Sequence, residues 1–579
     1  MLPVRLTSAA NAVVPAGLTP FTEQLPTLAQ LGVIDATAGA PATINMVNAT
    51  HQFHSALAPT PTFSYQAVGG TQDYLGPVIV AKKGVPFDLT MVNNLGPHPL
   101  ANVIDYGIMG AVPADATAPR AAVHLHGGNT AAASDGDPLD FFGQGVSRIY
   151  HYGNTQEAAG IWYHDHALGI TRLNVFAGLA SGYLVRDGND PGDGSTGLPP
   201  APTYEVPLIL QDRMFNTDGT FNYPPNPAPV TPGGGPWIPE FFGDVATVNG
   251  KAWPNLNVDR GKYRFRVYNG SQARFYNVKL KTSLGTVLPF FQIGSDGGLL
   301  NAPVLLNKML LAPGERADLV VDFAALAVGT KVVLSNDANA PFPTGPTAVK
   351  RGGVPLPQIM QFTVTSKVGW TAPLPANLRL RTAPVTRLAG VPVAATQNIV
   401  LVEVHNADDD PTMVLMNNRN FLNDTGQPRS PVLTVGTNTL EQWDLINTTV
   451  DAHPMHLHFT QFQVLNRQKF DAGAYLVAAY GVKPAGAPVW PVPNNVNSIP
   501  VAPFLRGGAS TPAPNEHGWK DTIVAMPGEV TRILVPFGAN PAGVLGPMAI
   551  GASHRGDYVS HCHILEHEEN DMMLRYTIV

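Results

Sequence analysis

The stretch Ser560-His561-Cys562-His563-Ile564-Leu565-Glu566-His567, followed by Met572, holds the chain's single cysteine between two histidines. A thiolate, two imidazoles and a weak thioether form the ligand set of a blue-copper electron-transfer centre. Taken alone, Cys562 reads as an inert buried thiol, and three further clusters change that. They are His124-Leu125-His126-Gly127-Gly128, His164-Asp165-His166 and His453-Pro454-Met455-His456-Leu457-His458. Ten of the 17 histidines fall in these four short segments.

The spacing carries the chemistry. Residues i and i+2 of a strand share a face, about 6.6 Å apart. Four such pairs occur: His124/His126, His164/His166, His456/His458 and His561/His563. One pair alone is ordinarily two unrelated side chains, and the His453–His458 cluster alone would suit zinc equally well. Eight imidazoles together could hold three metal ions if the two ends of the chain face each other. Parity also sends Cys562 to the face opposite His561 and His563, so one strand can join two metal centres back to back. The other seven histidines (His51, His54, His98, His151, His405, His517, His554) read as surface or structural.

The elements that must position these side chains are strands. Short β-like runs bounded by Gly, Pro and Asn recur, as at 78–81, 263–268 and 399–402. Helical periodicity is scarce, with one short helix expected near Phe323–Val328. Charged residues are only 13%, while Gly (57) and Pro (55) are frequent, which suits a β-protein with many turns. Breaks at about 187–200 and 366–387 divide the chain into domains 1–190, 200–365 and 385–579, each long enough for one β-sandwich. A loop at about 482–514 is too long for a simple connector. The net charge of −7, without a basic stripe, excludes a nucleic-acid binder. No stretch approaches the roughly 20 apolar residues of a membrane span. One cysteine forms no internal disulfide, and the N-terminus lacks the apolar run of a signal peptide. The compartment stays open between cytoplasmic and spore- or cell-surface placement, and a monomer is expected.

All four motifs, ending in His561-Cys562-His563-Ile564-Leu565-Glu566-His567-Glu568-Glu569-Asn570-Asp571-Met572-Met573, resemble those of the three-domain multicopper oxidases. Within that family the chain is most similar to the bacterial spore-coat laccase and bilirubin oxidase group. Further matching stretches are 134–138, 171–175, 248–251, 262–267, 292–298 and 518–523. The resemblance implies an all-β fold of three cupredoxin-like Greek-key β-sandwich domains, with copper in the first and last, and four copper ions as cofactors. It implies type 1 copper on His453, Cys562, His567 and Met572, and type 2 copper on His124 and His456. One copper of a type 3 pair would take His126, His164 and His563, and the other His166, His458 and His561. Electrons would enter from a small aromatic or tetrapyrrole substrate at the edge of His567, and dioxygen would be reduced to water at the three-copper cluster. Asp135 and Glu568 would relay protons, although Glu566, Glu568 and Glu569 by themselves read as a solvated acidic run. An axial Met572 in place of Leu or Phe implies a lower type 1 potential and easily oxidised substrates: phenols, aromatic amines, bilirubin-like compounds. The 14 scattered methionines disfavour a cuprous oxidase. A metal oxidase acting on Mn(II) or Fe(II) is the alternative, and a copper-binding coat protein without turnover is a more remote one.

Overall fold

A computed structural model describes residues 17–226, 231, 234–345, 354–405, 411–423, 426, 429, 433–481, 493–494, 499–538 and 550–579. Six β-sheets dominate it, and they pack in three face-to-face pairs. The first pair draws its strands from residues 33–186, the second from 205–368 and the third from 395–578. The expected runs are all strands: Val78–Lys82, Lys262–Asn269 and Ala395–His405. Phe323–Val328 is not a helix. Ala324 N–H bonds the Asp322 carboxylate and Gly329 (φ +82°) closes a turn, because only eight residues separate strands Arg316–Asp322 and Lys331–Asn336.

Alternation builds each core. In strand Phe87–Asn94, Phe87, Leu89 and Met91 point inward beside Ile44, Met46 and Phe63. The facing sheet adds Ile79, Val123, Ile161 and Tyr183. The third pair encloses Trp443, Leu445, Ile533, Met455, Tyr558 and Leu574, with Cys562 and Met572 inside the same cluster. Apolar burial of this kind stabilises by about 25 cal/mol per Å².

Strand Lys262–Asn269 departs from simple alternation. Tyr263, Phe265 and Val267 enter the core of the second pair, and Arg264 and Arg266 on the opposite face are also buried. They meet Asp190, Glu205 and Asp318, with Arg186 completing the cluster. Asp190 lies in the 187–200 break, so that segment is tied into the interior. Breaking a buried ion network leaves uncompensated charge at a cost of about 3–5 kcal/mol. Arg264→Met is expected to destabilise the protein by about that amount, read as a lowered denaturant midpoint. An unchanged midpoint would remove the cluster as a source of stability.

Candidate metal centres

Two hydrogen-bonded strand pairs carry the histidines. Strand Val123–His126 pairs with Gly160–Asp165, placing His124 opposite His164. Strand His453–Leu457 pairs with Gly556–Cys562, placing His456 opposite His561. His166, His458 and His563 lie just beyond strand ends, where the backbone turns toward the centre. The two pairs meet face to face: His124 stacks on His458 with ring centroids 3.7 Å apart, and His126 stacks on His456 at 3.6 Å. All eight imidazoles are buried.

Outer hydrogen bonds fix the tautomers. His124 Nδ1 donates to the Asp135 carbonyl (2.7 Å) and His456 Nδ1 to the Asp521 carbonyl (2.9 Å), leaving their Nε2 atoms 3.4 Å apart. His458 Nδ1 donates to Asp135 Oδ2 at 2.7 Å. His561 Nδ1 donates to the Cys562 carbonyl at 3.0 Å, and the Glu568 carboxylate lies 3.2 Å from that nitrogen and 3.3 Å from His166 Nδ1. The Nε2 atoms of His166 and His458 each lie 3.2 Å from His561 Nε2. Nitrogens whose protons are committed outward face each other as lone pairs, an arrangement that a cation between them relieves. His126 Nδ1, His164 Nε2 and both nitrogens of His563 are buried without a hydrogen-bond partner, which is rare unless a metal or water completes them. Burial and neighbouring rings hold His124, His126, His456, His458 and His563 well below the ordinary histidine range, as neutral ligands must be.

A second set lies on the other side of strand Gly556–Cys562. Cys562 Sγ is 3.6 Å from His453 Nδ1 and 3.8 Å from His567 Nδ1, and the two nitrogens are 3.2 Å apart. Thr449 Oγ1 bonds His453 Nε2 at 2.7 Å and so turns Nδ1 inward. Met572 N–H donates to the His567 carbonyl, and Cys562 N–H to the Met572 carbonyl (both 3.0 Å), which keeps the thioether residue beside the set. Burial pushes the Cys562 thiol up; a coordinated metal ion deprotonates such a thiol outright.

The run 566–569 is not a solvated surface. Glu566, Glu568 and Glu569 are all buried in the short helix Leu565–Glu569. Glu566 accepts from Tyr223 Oη (2.7 Å), Glu568 bridges two imidazoles, and Glu569 pairs with Arg172 of helix Thr171–Ala177. Asp135 is buried, its carboxylate also accepts from Thr130 Oγ1, and burial pushes its carboxyl up to about 8. None of the seven remaining histidines joins these groups among the described residues; His51, His54 and His98 are structural and buried. Sequence spacing did not mark Asp521, Thr522, Arg316, Thr449 or Glu403, whose roles arise only from three-dimensional contacts. Residues 482–492 and 495–498 of the long loop lie outside the described residues.

The multicopper oxidase family profile matches residues 396–579. A laccase of Bacillus subtilis is 36% identical over 544 residues, covering 92% of each chain. The chain belongs to the multicopper oxidases. Multicopper oxidase LPR1 of Arabidopsis thaliana is 34% identical, over 96% of this chain and 92% of its own. The crystal structure of the multicopper oxidase McoA from Aquifex aeolicus superposes with a TM-score of 0.70 at 24% identity, covering 97% of this chain and all of that one. The fold is therefore all-β and cupredoxin-like, and the protein is an oxidase that takes oxygen as acceptor and uses copper. The converging ring nitrogens and the buried thiol fit that metal. Copper binding should stabilise the fold by about 1.4 kcal/mol for each tenfold excess over the dissociation constant, so chelation is expected to lower the melting temperature and copper to restore it. Identical melting of apo and copper-loaded protein would contradict this.

Proposed function

We propose that this multicopper oxidase is of the laccase type, oxidising phenols, aromatic amines or bilirubin-like tetrapyrroles one electron at a time and reducing dioxygen to water. One observation carries the reading: Cys562, within one buried ligand set, is bonded to His561 and His563, which enter a separate eight-imidazole set. Four copper ions fit the groups. His453, Cys562 and His567, with Met572 as axial ligand, would hold type 1 copper. His124 and His456 would hold type 2. His126, His164 and His563, and separately His166, His458 and His561, would hold the type 3 pair. Bound copper supplies electron acceptance at the first set and dioxygen reduction at the second. The chain would divide into domains at 1–190, 200–365 and 385–579, with ligands in the first and last.

The protein's own groups do the rest. His567, buried like His453, would be the edge that meets a reducing substrate, as the family pattern implies. Asp135 holds the Nδ1–H of His458, and Glu568 lies within 3.3 Å of the Nδ1 atoms of His166 and His561, so both are placed to pass protons toward the cluster. The 482–514 loop, which lies in sequence between the 453–458 and 561–567 motifs, would shape substrate entry. The laccase name of the Bacillus relative agrees with the substrate class.

A second reading has its own support. Glu403 Oε1 lies 3.9 Å from His453 Nε2, and His405 lies 3.2 Å from Glu403. Burial and Glu403 push Asp451 up to about 8, and burial with Asp451 raises Glu240. These carboxylates gather beside His453 rather than His567, and Mn(II) or Fe(II) would relieve their repulsion.

Aerobic turnover of copper-loaded protein on phenols, bilirubin, Mn(II) and Fe(II) decides between the readings. Phenol oxidation unaffected by Glu403→Gln is expected; selective loss of Fe(II) or Mn(II) turnover in that variant would favour the second. Cys562→Ser should abolish the blue colour. Asp135→Asn should keep that colour yet slow oxygen consumption by about 10²-fold, and an unchanged rate would remove Asp135 from the relay.

A further inference from the structure

The eight-imidazole set has an approximate internal symmetry that the copper motifs do not mention. Asp135 accepts from His124 through its carbonyl and from His458 through Oδ2. Asp521 repeats the pattern on the other side, accepting from His456 through its carbonyl and from His126 Nε2 through Oδ1 at 3.1 Å. Each aspartate therefore orients two imidazoles that the four-copper reading gives to different ions. Their remaining partners differ. Among the described residues, the one further hydrogen-bond donor to the Asp135 carboxylate is the Thr130 hydroxyl, whereas both oxygens of Asp521 are gripped by the Arg316 guanidinium, Nη1 to Oδ1 and Nη2 to Oδ2 at 2.5 Å each.

Arg316 opens strand Arg316–Asp322 of the second sandwich, which supplies no copper ligand. All five of its donors are used: Nε on the Gly160 carbonyl, Nη1 on Gly314 and Asp521, Nη2 on the Asp296 carbonyl and Asp521. One side chain thus joins the three sandwiches at the edge of the cluster. One glycine leaves Arg316 room, and a second leaves room for His563. A Cβ on Gly127 (φ +88°), next to His126, would lie 2.5 Å from Arg316 Nη2 and 2.8 Å from Asp521 Oδ2. A Cβ on Gly314 (φ +81°) would lie 2.7 Å from His563. The motif glycine after His126 is thereby explained by what crosses over it.

Resting on the four-copper reading above, we propose that Arg316 is a positioning residue for the trinuclear site: its forked pair with Asp521 holds His126 with Nε2–H outward and Nδ1 toward the metal. The buried, partnerless Nδ1 of His126 is what this orientation produces. A lysine would keep the charge, but its single ammonium cannot span both carboxylate oxygens and the three carbonyls.

The test compares copper-loaded wild type, Arg316→Lys, Arg316→Gln and Gly127→Ala by blue absorbance, copper retained after dialysis against a chelator, and electron paramagnetic resonance. Removing an outer partner of a metal-bound histidine weakens metal affinity about 10–100-fold. All three variants are expected to keep the blue band of the Cys562 site while losing cluster copper over that range. They should also gain resonance-detectable copper as the silent type 3 pair uncouples. Arg264→Met, which breaks an ion cluster elsewhere, should retain its cluster copper. Wild-type copper retention and coupling in both Arg316 variants would overturn the proposal, as would loss of the blue band in both, since a positioning role leaves the third sandwich intact. Wild-type protein with no silent pair would instead overturn the four-copper reading.

Discussion

Imidazole lone pairs brought nose to nose inside a protein repel one another, and the architecture is organised around holding them there. Three Nε2 atoms converge with neighbours at 3.2 Å, and two more face each other at 3.4 Å. No apolar packing makes that arrangement favourable by itself. It persists because the Nδ1 atoms of His124, His456, His458 and His561 are committed to oxygens, three of them backbone carbonyls and one the Asp135 carboxylate. The site is thus preorganised by its outer bonds, and a cation gains from repulsion already in place.

Such preorganisation needs rigid supports on both sides, which explains the order of the chain. The first and third sandwiches each offer a two-stranded ledge with a histidine pair on both strands. Among the described residues the second sandwich adds nothing to the candidate metal groups, yet it is not a spacer. Its buried arginines Arg264 and Arg266 fasten the segment leaving the first sandwich, and Arg316 reaches Asp521 beside the imidazole cluster. Helices Thr171–Ala177 and Leu565–Glu569 add a further clasp through Arg172 and Glu569.

Much of this was legible in the sequence, for a definite reason. Strand alternation acts over two residues, so paired histidines and the opposed direction of Cys562 can be read from neighbours alone. The short runs at 78–81, 263–268 and 399–402 are strands for the same reason. What could not be read depends on partners far away in the chain. Arg316 and Asp521 are 205 residues apart. The glutamates at 566–569 look solvated until Tyr223, His166 and Arg172 are seen around them, and Arg264 and Arg266 look like an exposed strand face until Asp190 and Asp318 cover them. The helix expected near Phe323–Val328 failed because a tight loop between strands leaves no room for helical turns.

Strand Gly556–Cys562 and the residue after it feed two candidate ligand sets from opposite faces. A slip of one residue in its pairing with His453–Leu457 would exchange those faces, aiming the thiol at the imidazole cluster and both imidazoles at the thiol's former partners. The distance between the two centres is therefore a property of the backbone repeat, set by one peptide unit on either side of Cys562, and side-chain changes around either centre leave that spacing untouched.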